Sequence, residues 1–97
     1  MYARLAAFEG GDTTKLRELN EERMSSGTMG LPEGMTRAVL LSTPAGDRRL
    51  FITFFDTKEA LEASEKRFEE MGDEIPEDVR GQRIAVEVYD VVFDQAP

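Results

Sequence analysis

The chain has no histidine and no cysteine, so the side chains that could move protons or stabilise anions are its acidic and basic residues and its tyrosines. An arginine can stabilise a developing anion, and a glutamate or tyrosine can transfer a proton. Four such residues stand in short apolar stretches that predict strands: Arg4, Arg37, Glu87 and Tyr89. Our interpretation of strand alternation places all four on one face of a sheet, where they are the candidate catalytic residues.

The same four residues also have a purely structural interpretation. Arg4 could pair with Glu87 across neighbouring strands, within a polar network buried in an interface. Both interpretations depend on strand register, because a slip of one residue sends every side chain of a strand to the opposite face.

Other familiar kinds of site are not predicted. Without histidine there is no Ser-His-Asp triad, and without cysteine there is no disulfide or thiolate ligand. The acidic cluster at residues 73–78 lacks the EF-hand order of ligands and is interpreted as an exposed loop. Gly10-Gly11-Asp12 lacks the spacing of a dinucleotide-binding loop. We therefore predict neither a metal site nor a cofactor.

The charge balance bears on possible partners. The chain has 97 residues, with 12 basic and 20 acidic side chains, and its net charge is −8. The whole acidic excess lies in residues 51–97, so nucleic acid and anionic membranes are poor partners. No apolar run approaches the ~20 residues of a membrane span, and we find no signal peptide. These observations predict one cytoplasmic domain over residues 1–97.

The elements that must position the candidate residues follow the order β-α-β-β-α-β. Strands are predicted at 2–8, 36–42, 49–55 and 83–93, and helices at 13–25 and 57–71. Asp56 is the expected N-cap of the second helix and Gly72 its expected C-terminal glycine. Residues 73–82 are expected to form a loop. With right-handed crossovers this order predicts a ferredoxin-like α+β fold, a four-stranded antiparallel sheet with both helices on one face.

Both faces of the predicted sheet are apolar, although two helices can cover only one. We assign Phe8, Phe51, Phe55 and Tyr89 to the uncovered face. A large exposed apolar patch usually marks an interface. The sequence therefore predicts a homodimer in which two sheets pack through Phe51, Phe55, Val39 and Tyr89.

Small residues predict a pocket between the sheet and the helices: Ala3, Ala7, Ala60 and Ser64. Adaptable methionines stand nearby in sequence: Met24, Met29, Met35 and Met71. Such a pocket would suit an apolar or aromatic small molecule. The alternative is that small residues simply let the helices approach the sheet closely.

Two stretches resemble a known superfamily. The aromatic strand and helix start of residues 51–61 (FITFFDTKEAL), together with residues 86–90 (VEVYD), are similar to the dimeric α/β-barrel superfamily, and within it to small proteins of the antibiotic-biosynthesis monooxygenase type. This resemblance covers nearly the whole chain. It implies two subunits that pair their sheets into one barrel, often with C-terminal residues reaching the partner.

The resemblance also implies classes of activity. Enzymes of this type include cofactor-less oxygenases of polycyclic aromatic substrates and haem-degrading proteins that use an Asn, a Trp and an axial His. This chain has no Trp and no His, so ligation of haem by histidine is excluded. Two interpretations remain open: a small-molecule-binding protein with cofactor-less monooxygenase-like activity, and a non-catalytic homodimeric module. The sequence leaves open whether the chain is an enzyme.

Overall fold

The computed structural model describes residues 1–26 and 32–96. Its elements are β1 (Tyr2–Glu9), α1 (Thr13–Ser26), β2 (Met35–Ser42), β3 (Arg48–Phe55), α2 (Lys58–Asp73), α3 (Glu77–Arg80) and β4 (Gln82–Asp90). The predicted order of long elements is confirmed, and the chain has a ferredoxin-like fold. None of the helices in the described ranges is long and apolar enough to cross a membrane.

The segment predicted to be a plain loop contains the one-turn helix α3. Pro76 precedes it, and the Pro76 carbonyl accepts from the backbone N–H groups of Val79 and Arg80. Gly81 ends it with a φ of 78°, a conformation that side-chain-bearing residues rarely adopt. The prediction missed α3 because a single turn is too short to display a helical period.

Capping groups define the start of both long helices. Asp12 caps α1, since its Oδ1 accepts from the Lys15 backbone N–H at 3.0 Å. Thr57, not the expected Asp56, caps α2, and its side chain accepts from the Ala60 N–H at 3.1 Å. The expected end at Gly72 is also wrong, because α2 continues to Asp73 in right-handed helical geometry.

The four strands form one antiparallel sheet in the order β2-β3-β1-β4. β1 lies inside the sheet, where Leu5 is opposite Ile52 of β3 and Glu87 of β4. β2 and β3 form a hairpin, with residues 43–47 as its loop. β2 and β4 are therefore the two edge strands.

The face that the helices pack on, called the covered face below, contains aromatic residues that we assigned to the other side. Phe55 is fully buried in a core cluster with Leu61 and Phe68 of α2. The Phe51 ring meets the Phe68 ring edge-on, with centroids 5.9 Å apart. The assignment of Phe8, Phe51 and Phe55 to the uncovered face is thus wrong. Alternation sorts residues within one strand, but only the register decides which sets share a face.

The opposite face, called the open face below, has no helix packed on it among the described residues. Pairing places these side chains there: Ala3, Leu5, Ala7, Arg37, Val39, Leu41, Leu50, Ile52, Phe54, Ala85, Glu87 and Tyr89. Leu41 and Tyr89 are about half exposed, at 48% and 47%. The open face is apolar, as predicted. Of the four residues expected to form the dimer contact, however, only Val39 and Tyr89 lie on it.

Candidate ligand-binding site

A cavity of about 1140 Å³ lies between the covered face and the helices, but none of the small residues on which the pocket prediction was based, including Ala60 and Ser64 of α2, lines it. Its apolar lining consists of Ala6, Phe8, Leu16, Ala38, Leu40, Phe51, Phe68, Met71 and Ile75. The small residue that β1 contributes is Ala6, whereas Ala3 and Ala7 lie on the open face. Met71 lines the cavity and Met35 packs against the core cluster. Met29 lies outside the described residues.

Charged side chains also line this cavity. Arg4 and Arg49 stand on the strands and are almost completely buried, at 2% and 1% exposure. Five more charged residues of the lining come from α2, α3 and β4: Glu69, Asp73, Glu77, Arg80 and Arg83. In the described part of the chain, no three His, Cys, Asp or Glu side chains converge as a metal site requires. The chemistry of the cavity is therefore that of arginines set among apolar walls.

Arg4 extends from the middle of β1 toward α2. Its Nε donates to Oε1 of Glu65 at 2.6 Å, and its Nη2 donates to Oε2 at 3.2 Å. Its guanidinium carbon lies 4.5 Å from the centroid of the Phe68 ring, a cation–π contact. The expected pairing of Arg4 with Glu87 is wrong, because the two residues lie on opposite faces. Arg4 is instead held by α2 from two sides.

Arg49, at the other end of the covered face, joins three connections of the chain. Its Nη1 donates to Oγ1 of Thr13 and the Gly46 carbonyl, at 2.8 and 3.3 Å. Its Nη2 donates to the carbonyls of Gly10 and Arg80, at 2.6 and 2.7 Å. This side chain therefore ties the start of α1, the β2–β3 hairpin and the end of α3 to the sheet.

The four predicted catalytic residues do not converge. Arg4 is on the covered face, whereas Arg37, Glu87 and Tyr89 are on the open face. The expectation of one shared face failed because the strand-to-strand register was assigned wrongly. The guanidinium of Arg37 lies 5.8 Å from the Phe54 ring centroid.

Tyr89 and Glu87 form a local pair on the open face. The Tyr89 hydroxyl donates a hydrogen bond to Oε2 of Glu87. This bond raises the pKa of Tyr89 above its ordinary value, with smaller contributions from desolvation and from the Glu87 charge. A substrate that exchanges a proton with this pair would have to bind on the open face.

Two functional candidates were missed in the sequence. Arg49 lies two residues before Phe51 on β3, so both side chains are on the same face of the sheet. Placing Phe51 on the covered face would therefore have indicated that Arg49 is buried. Glu65 follows Leu61 by four residues on α2 and therefore borders the apolar stripe of that helix. The i, i+4 spacing was therefore a usable signal.

Comparisons with known proteins agree with this fold. No protein-family model matches the chain, and no curated protein matches its sequence. Among solved structures, a mutant of MhuD with two manganese protoporphyrin IX molecules bound per active site is similar over 100% of both chains. The TM-score is 0.62 and the sequence identity is 14%. The likeness to MhuD is one of fold, and it confirms the ferredoxin-like architecture.

Proposed function

We propose that this protein binds a flat, largely apolar small molecule in the cavity between the covered face and the helices. The observation that carries the proposal is the cavity itself, about 1140 Å³ in a 97-residue chain, with aromatic walls and buried arginines. The MhuD structure, of the same fold, holds planar porphyrins in its active site, which supports a planar ligand. Because this chain has no histidine, the ligand we propose is organic and needs no axial imidazole.

Cofactor-less oxygenation of a phenol-like substrate is the finer form of this proposal. Of the four predicted catalytic residues, Arg4 is the one that lines the cavity, so it would stabilise the substrate anion there. Arg37, Glu87 and Tyr89 would need a substrate on the open face. Binding is therefore better supported than catalysis. Oxygen consumption by metal-free protein with anthrone, lowered by Arg4→Met, would support the enzymatic form.

The binding proposal is tested by filling the cavity. Ala38 lines the cavity from β2, so Ala38→Phe should lower affinity for anthrone at least tenfold in isothermal titration calorimetry. Ala63 lies on the exposed side of α2 and does not line the cavity, so Ala63→Phe is the matched control and should bind as the parent does. Absence of binding by the parent chain to anthrone and to a panel of hydroquinones would contradict the proposal.

A non-catalytic homodimeric module is the second candidate function. The open face favours it, because side chains such as Leu41 and Phe54 have no helix over them among the described residues. A second copy of the chain would bury this face. The location predicted for the dimer from the sequence is the cytoplasm. The two candidates are compatible, since the cavity and the open face lie on opposite sides of the sheet.

A further inference from the structure

One edge of the Arg4 guanidinium is not used by the protein. Nε and Nη2 donate to Glu65, and Nη1 has no partner within residues 1–26 and 32–96. Among the residues described, every fully buried side-chain nitrogen or oxygen has a hydrogen-bond partner. Nη1 has none, so it is not fully buried. The side chain as a whole is only 2% exposed and lines the cavity. Nη1 therefore opens toward the cavity.

The neighbours of Arg4 fix the direction of this free edge. The Phe68 ring lies against the guanidinium, and Glu65 grips its opposite edge with two hydrogen bonds. A guanidinium held in this way loses little side-chain entropy when it binds an acceptor. A guanidinium is a cation with donors only, so the free N–H groups favour an anionic acceptor over a neutral one.

The cavity places this cation beside apolar surface. Phe51 and Phe68 form a wall next to Arg4, so one ligand can contact the rings and the guanidinium together. The chain carries a net charge of −8, whereas the cavity lining has four arginines against the three acids Glu69, Asp73 and Glu77. The net charge of the chain opposes anions at long range, so a preference for one must come from contacts with arginines inside the cavity.

We propose, building on the small-molecule binding above, that the ligand carries an acidic group that accepts a hydrogen bond from Nη1 of Arg4. The ligand class is an organic anion, with a flat apolar body against Phe51 and Phe68 and a carboxylate, sulfonate or phenolate at Arg4. Arg4 is then the residue that selects the anionic ligand over its neutral analogue. Glu65 competes with the ligand for the same guanidinium charge.

Two fluorescent probes with one skeleton test this selection. 8-Anilinonaphthalene-1-sulfonate carries an anionic group, and N-phenyl-1-naphthylamine is the same molecule without it. Arg4→Met should weaken the sulfonate about tenfold, as for loss of a charge-assisted hydrogen bond, and change the neutral probe less than about twofold. Glu65→Gln should strengthen the sulfonate severalfold, because it removes the competing carboxylate. Partial unfolding would not produce both a selective loss of sulfonate affinity in Arg4→Met and a gain of sulfonate affinity in Glu65→Gln.

Arg48→Met is the matched control, since Arg48 is an exposed arginine that does not line the cavity. It should change the affinity for the sulfonate less than about twofold. Loss of the sulfonate preference in Arg48→Met, or equal weakening of both probes in Arg4→Met, would overturn the inference and leave the binding proposal standing. Failure of the parent chain to bind either probe would overturn both.

Discussion

Phe68 belongs to the buried core cluster and also lines the cavity. It is 8% exposed, packs edge-on against Phe51 and supports the guanidinium of Arg4. Phe68→Ala should lower the free energy of unfolding by about 3 kcal/mol, the lower end for a buried phenylalanine, because one side of the ring already faces a cavity. Urea denaturation measures the change.

Glu69, the next residue, supplies the control for Phe68. It is exposed, so Glu69→Ala should change stability by no more than about 0.5 kcal/mol. Equal tolerance of alanine at the two positions would mean that the face of α2 has been assigned wrongly.

Tyr89 gives the open face a measurable titration. Because its hydroxyl donates to the Glu87 carboxylate, its pKa is raised, and Glu87→Gln should bring that pKa back toward the ordinary value. Absorbance of the phenolate reports this in a Tyr2→Phe background, where Tyr89 is the remaining tyrosine. An unchanged titration curve in Glu87→Gln would rule out the hydrogen bond as the cause.

The same shift sets the sign of a pH effect on stability. The pKa of Tyr89 is higher in the folded than in the unfolded chain, so its contribution is fully present below the unfolded pKa of about 10. That contribution is lost as the pH rises through the folded pKa. The alkaline loss of stability should therefore be smaller in Tyr89→Phe than in the parent, in melts recorded from neutral to alkaline pH.

At the scale of elements, Arg49 decides how the connections are held to the sheet. Arg49→Met leaves four half-buried oxygens without their charged donor. It should lower the free energy of unfolding by about 3 kcal/mol. Amide hydrogen exchange should accelerate in α3 and in the first turn of α1, because both lose their tie to β3.

Arg48 is the matched control for Arg49. It is the preceding residue on the same strand and is exposed, so Arg48→Met should change stability by no more than about 0.5 kcal/mol. Equal stability losses, or unchanged exchange in α3, would contradict the role given to Arg49.

At the scale of the whole molecule, we predict a homodimer built on the open face. The apolar side chains of that face include Val39, Ile52 and Phe54, which a second copy would cover; of these three, Val39 is the one expected from the sequence in the dimer contact. Light scattering at micromolar concentration should give twice the chain mass of 10.9 kDa. A stable monomer would contradict this prediction.

The charges of the open face predict how two copies align. Arg37 lies on the edge strand β2 and Glu87 on the opposite edge strand β4. A twofold axis parallel to the strands would lay β2 of one copy over β4 of the other, bringing each Arg37 near the partner's Glu87. Arg37→Glu and Glu87→Arg should each weaken the dimer at least tenfold, and the double variant should restore it. A dimer insensitive to either single change would exclude this alignment.

Much of the fold was predictable because local signals were strong. The apolar stripe of α2, including Leu61 and Phe68, has the 3.6-residue period that indicates a helix buried on one side. Each strand shows the alternation of two faces, and the hairpin loop at 43–47 contains its turn residues. The order of these elements and the handedness of their connections leave few topologies beside the ferredoxin-like one.

The composition of the two sheet faces was decided only by the tertiary structure. Alternation is a property of one strand, whereas the register that puts Ala6 beside Phe51 depends on contacts between residues far apart in sequence. In this register, Arg4 lies on the opposite face from Arg37, Glu87 and Tyr89. It contacts Glu65 and Phe68 instead. The sequence by itself therefore determines which residue types could do chemistry. The tertiary structure decides which of them share a site, through the pairing of the strands and the packing of α2.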